Sequence, residues 1–183
     1  MDRVTEMLDY LKDEMEEGLA RFKQELSQQE LFDEAQVREA LEVMKAEIEA
    51  GEKAENTFVV ITYLRSSYIT ESHQFKIALY EDEPFVEEAI MDRFVDLTQL
   101  YKQEERIPEL IDKLTRKIRL KFIRVVPYEI EEVRRFYMES LYKNSSFFFK
   151  NIVNEMGTGE SGSVKNIVYF GEEMGKIEEI GVI

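Results

Sequence analysis

The chain has 183 residues, 44% hydrophobic and 34% charged, a balance that suits one folded domain with a full core rather than a disordered segment. It contains no cysteine and a single histidine, His73, which excludes disulfides, thiolate nucleophiles and cysteine- or histidine-rich metal centres. Its formal net charge of −15 would repel a phosphate backbone over most of the surface, so direct nucleic-acid binding is not expected.

Residues 2–27 set Val4, Leu8, Leu11, Met15, Leu19, Phe22 and Leu26 at helical spacing, which predicts a helix with one apolar stripe. The N-terminus lacks the apolar core of a secretory signal, and no apolar run reaches the ~18 residues of a membrane span. A cytoplasmic location is expected. Ser27 and Glu30 form a capping-box pattern that starts a second helix near Gln28, with the stripe Val37, Leu41, Met44 and Ile48 and with Gly51 to close it. Residues 1–55 carry a net charge of −10, so these two helices are expected to form a strongly acidic hairpin.

From Thr57 the pattern changes. Phe58 to Leu64 is rich in β-branched and aromatic residues and reads as a buried strand, with Phe75 to Tyr80 as its alternating partner. A third helix is predicted from Pro84 to about Glu105, with Val86, Ile90, Phe94, Leu97 and Tyr101 inward and Asp82 or Glu83 as its cap.

Arg106 to Arg124 is the one stretch where the chain turns basic, with seven bases against Glu109 and Asp112. Its apolar residues suit a helix to at least Lys117, while Lys117 to Phe122 also alternates like a strand. A long helix follows Pro127, carried by Ile130, Val133, Tyr137, Leu141, Phe148 and Ile152. Gly157 to Ser163 then reads as a connecting loop, and Val164 to Ile183 as a hairpin turned at Gly171 to Gly175.

The expected architecture is therefore α+β in a single domain, 1–183. An acidic helical hairpin (1–55) precedes a strand pair with helices (56–156), a glycine-rich loop (157–163) and a C-terminal hairpin (164–183). The hairpins at about 57–81 and 164–183 are expected to join as one antiparallel sheet packed against three further helices, since an isolated hairpin is marginal.

Three patterns imitate chemistry without supporting it. Gly157 to Gly162 spells G-x-G-x-x-G, yet a dinucleotide fingerprint needs a strand before and a helix after, and the order here is reversed. Glu88, Asp92 and Asp96 would line one side of the third helix, where a solvated acidic face is the plainer reading. Glu71, Ser72 and His73, with Ser66 and Ser67 nearby, lack the elbow and oxyanion loop of a serine hydrolase. No catalytic residue, metal ligand or cofactor is assigned.

The candidate interaction residues are Lys113, Arg116, Lys117, Arg119, Lys121 and Arg124 of the basic stretch, together with Phe147, Phe148 and Phe149. The bases either neutralise the acidic hairpin or meet an anionic partner or membrane surface. The three phenylalanines spread over ~200° of a helix, so one face cannot bury them all. The expected function is a non-enzymatic protein-interaction or regulatory module that self-associates through its N-terminal helices. The alternatives are a small-molecule-binding protein or hydrolase with a pocket between the sheet and the Phe147 to Phe149 helix, and an acidic nucleic-acid mimic or modulator.

Overall fold

The computed structural model describes residues 2–26, 32–51, 57–70, 72–81, 85–102, 106–157 and 166–183. The fold is α+β, and the chain divides into a helical unit, Met1–Gln29 with Tyr101–Asn144, and a sheet unit, Glu30–Leu100 with Ser145–Ile183.

In the helical unit, α1 (Arg3–Leu26) packs against α5 (Arg106–Lys121) and α6 (Pro127–Asn144). Leu11, Met15 and Phe22 of the expected α1 stripe are buried together with Met7, while Val4, Leu8 and Leu19 are half-buried; Leu114 and Ile118 from α5 and Val133, Tyr137, Met138 and Leu141 from α6 complete the core. Phe22 stacks on Tyr101 at 5.7 Å, and Tyr101 meets Tyr142 edge-on at 4.8 Å. The start of α6 is locally encoded: Pro127 occupies its first position, and the Glu129 side chain reaches back to accept from the Val126 backbone N–H at 2.9 Å.

The sheet unit holds five strands in the order β3-β2-β1-β4-β5: β1 (Thr57–Tyr63), β2 (Gln74–Glu81), β3 (Met91–Asp96), β4 (Ile167–Glu172) and β5 (Ile177–Val182). Both expected strand pairs are present, but β1 runs parallel to β4, from Phe58 opposite Ile167 to Tyr63 opposite Glu172. The sheet is mixed, not wholly antiparallel. A short helix, α3 (Arg65–Thr70), fills the connection between β1 and β2.

One sheet face carries Val59, Ile61, Tyr63, Phe75, Ile77 and Leu79, with Val168 and Phe170 in register beside them. α2 (Phe32–Ala50) and α7 (Ser146–Gly157) pack on the sheet and on each other, α2 burying the stripe Val37, Leu41, Met44 and Ile48. On the opposite face, Phe85 and Ala89 of the β2–β3 connection, with Tyr169 and Ile177, cover Val60, Ala78 and Tyr80. The buried residues of the α1 and α2 stripes thus belong to the cores of their own units.

Two expected helices are corrected. The segment read as a third helix from Pro84 forms the edge strand β3 and then the short α4 (Thr98–Lys102). The Ile90/Phe94 spacing is helical, yet both side chains are exposed, and the unpaired edge of β2 supplies hydrogen bonds that outweigh that spacing. The long helix after Pro127 is two helices. They break at Asn144-Ser145-Ser146, where Asn144 donates from its side-chain amide to the Ser140 carbonyl at 2.7 Å and the buried Ser145 carbonyl accepts from Phe149 N–H. Short polar side chains that bond their own backbone compete with helix continuation.

Candidate functional site

α5 continues as helix through Lys121, which decides between the two periods legible in the sequence. It closes with Phe122 N–H donating to the Ile118 carbonyl and with Arg124 in the left-handed region at φ 54°. Beyond that point Glu129, buried at the start of α6, accepts an ion pair from Arg3 at 3.3 Å, and Arg3 also donates to the Ile123 carbonyl. The turn between α5 and α6 is therefore held by its backbone and by buried charge, which leaves its outward side chains uncommitted.

The basic residues of α5 divide by direction. Lys117 forms an ion pair with Glu14 of α1, and the Lys121 ammonium sits 5.7 Å from the centre of the Tyr10 ring, which itself meets Phe122 edge-on at 5.8 Å. Arg116, Arg119 and Arg124 are exposed and have no ion pair among the described residues. Between them Leu120 is 88% exposed and Ile123 83% exposed, with Val126 and Tyr128 also open to solvent. The far side of α5 and the turn after it thus present aliphatic side chains set among guanidinium groups that have no ion pair among the described residues.

The sheet unit has a surface of opposite sign. The segment that leads into β3 exposes Val86, Ile90 and Phe94, and Glu87 and Glu88 are exposed beside them. Asp92 is partly engaged, pairing with Lys76 at 3.4 Å, and Asp96 accepts from the Thr98 N–H at 2.7 Å to cap α4. With Asp92 and Asp96 on a strand, the three carboxylates do not line up as a helical row, and no cluster suited to a metal ion occurs among the described residues.

Phe148 and Phe149 belong to the core, Phe149 lying 5.2 Å from Phe75 and 5.3 Å from Phe170 in a closed aromatic cluster, while Phe147 is exposed. The serines near His73 are spent on local structure. Ser67 donates to the Gln74 carbonyl at 3.0 Å and Ser72 to Ser67 Oγ at 3.3 Å. Glu71 and residues 158–163 of the glycine-rich loop lie outside the described residues; α7 precedes that loop and β4 follows it, the reverse of a dinucleotide site.

The helical unit also contains a cleft of about 300 Å³ between α1, α5 and α6. Phe22, Leu110 and Leu141 supply apolar wall, and Glu109 and Lys113 stand at its margin one turn apart on α5. Tyr137 lines it at 1% exposure, and burial pushes its phenol well above the ordinary tyrosine range. Its hydroxyl has no hydrogen-bond partner among the described residues. Gly18 lies directly over it, since a Cβ there would stand 2.6 Å from Tyr137 Oη and 2.5 Å from Leu110 Cδ2.

Neither the outward Leu120 and Ile123 nor this cleft was apparent from the sequence. The available signals were Gly18 inside a strong helical pattern, and apolar residues in α5 outnumbering what one stripe can bury. No protein-family model, no curated protein and no solved structure matches the chain.

Proposed function

We propose that this chain is a non-enzymatic, cytoplasmic interaction module whose docking surface is the outer side of α5 and the turn after it. The observation that carries the reading is the exposure of Leu120 and Ile123 among Arg116, Arg119 and Arg124, which have no ion pair among the described residues. Isolated apolar side chains on a surface need no explanation, but aliphatic residues interleaved with cations suit a partner that is both apolar and acidic. The surface around Val86, Ile90 and Phe94, with Glu87 and Glu88, has that chemistry, so the partner to which we commit is a second copy of the chain. The burial of Leu11, Met15 and Phe22 in α1 and of Val37, Leu41, Met44 and Ile48 in α2 favours this surface over the N-terminal helices for self-association.

An interface between two different patches is heterologous and propagates from copy to copy. Sedimentation velocity on the whole chain tests it with two variants, Arg119→Glu/Arg124→Glu and Glu87→Lys/Glu88→Lys. The wild type is expected to form concentration-dependent oligomers that weaken as salt rises, because exposed charges are screened beyond about 10 Å at ~0.1 M salt. Each variant alone should be monomeric, and their equimolar mixture should associate again, because the two native patches and the two reversed patches are each of opposite sign across the pair. A wild type that is monomeric at millimolar concentration, or a mixture that stays monomeric, overturns the proposal.

A further inference from the structure

We propose that the cleft between α1, α5 and α6 binds a small zwitterion of amino-acid type, with its apolar or aromatic side chain inside and its charged head at the margin. The cleft, about 300 Å³, is at the lower end of the range that small-molecule sites occupy. Its walls at Phe22, Leu110 and Leu141 suit an apolar body.

Tyr137 supplies the second, independent indication. Tyr137 lines the cleft at 1% exposure, and its hydroxyl has no hydrogen-bond partner among the described residues, a state folded proteins rarely leave uncompensated. Gly18 packs against this hydroxyl, and a Cβ there would stand 2.6 Å from it, so only glycine lets α1 come this close to the inner end of the cleft. A bound molecule with a polar atom at its inner end would meet the hydroxyl.

The charged margin selects the head group. Glu14 is paired with Lys117, and Glu17 with Arg21, whereas Glu109 and Lys113 have no ion pair among the described residues. A simple amine would leave Lys113 opposed, and a simple carboxylate would have to approach three glutamates. An ammonium and a carboxylate carried together meet both free charges.

The test is an NMR titration and thermal-shift assay of the whole chain with L-tyrosine, L-phenylalanine and L-leucine, using tyramine and 4-hydroxyphenylacetate as probes that each lack one charge. Saturable binding of at least one amino acid is expected, with resonances of Gly18 and Phe22 perturbed and the single-charge probes weaker by about tenfold. Tyr137→Phe should leave the apo melting temperature unchanged or higher, because no hydrogen bond is lost, and should weaken L-tyrosine binding by about three- to tenfold. Lys113→Glu should abolish the preference for the zwitterion over tyramine. The proposal is overturned by no saturable binding of the three amino acids, by equal binding of L-tyrosine, tyramine and 4-hydroxyphenylacetate, or by a Tyr137→Phe variant that melts lower than wild type. It is equally overturned if a single ordered water satisfies the hydroxyl and no probe displaces it.

Discussion

The protonation of Tyr137 and Tyr142 is tied to the fold. Burial raises both phenols above their ordinary range, so the folded state keeps two protons that the unfolded chain releases near pH ~10. Below that pH the two states bind these protons equally and the contribution is fully present. Above it the unfolded state holds fewer protons, and stability falls by up to about 1.4 kcal/mol per pH unit for each tyrosine. Urea denaturation midpoints on either side of about pH 10 measure this. The midpoint should drop on the alkaline side, and Tyr137→Phe should make the drop shallower; a midpoint flat through the range would show that these phenols reach water in the folded state.

At the scale of elements, α1 and α6 approach closely enough that Gly18 has no room for a Cβ, which would lie 2.5 Å from Leu110 Cδ2 and 2.6 Å from Tyr137 Oη. Gly18→Ala sets two effects against each other. Alanine gains about 1 kcal/mol of helix propensity, whereas forcing a methyl into a packed interface costs about 1–3 kcal/mol. The clash involves a ring hydroxyl as well as a leucine end, so we expect a net loss of stability and a narrowed cleft. Thermal melting gives the sign, and a stabilised variant would mean that the helices yield.

Several elements were legible for the same reason. The stripes of α1 and α2, and the β-branched runs of β1 and β2, combine one strong period with one buried face. The segment 84–105 was not, because an edge strand with both Ile90 and Phe94 exposed has no alternation to betray it, and its identity comes from the neighbouring β2. The α6–α7 break was hidden by apolar spacing that continues across Ser145. In the candidate site, the basic character of α5 was readable from composition, but the division into Lys117 and Lys121 facing α1 and Arg116, Arg119 and Arg124 facing outward depends on which side of the helix is buried.

For the whole molecule, the charge is very unevenly divided. The helical unit contains 16 acidic and 15 basic residues, and the sheet unit 23 acidic and 9 basic. Self-repulsion therefore belongs almost entirely to the sheet unit. Hydrogen exchange followed as sodium chloride is raised should show protection increasing more for amides of β1, β2 and β4 than for those of α1 and α6, because salt screens repulsion between like charges. Equal gains in the two units would mean that local ion pairs, not net charge, control opening.

The parallel pairing of β1 with β4 has a consequence for biosynthesis. During vectorial synthesis Phe58 to Tyr63 leave the ribosome with β2 soon available on one side, but the strand for the other side begins at Ile167, after all of α5, α6 and α7 have been translated. Until then the nascent chain carries an open edge on its most apolar strand, and such edges recruit strands from other chains. A translational pause or premature stop before Ile167 would leave that edge exposed. The β4–β5 hairpin thus serves the nascent protein as the cover that ends this interval of vulnerability.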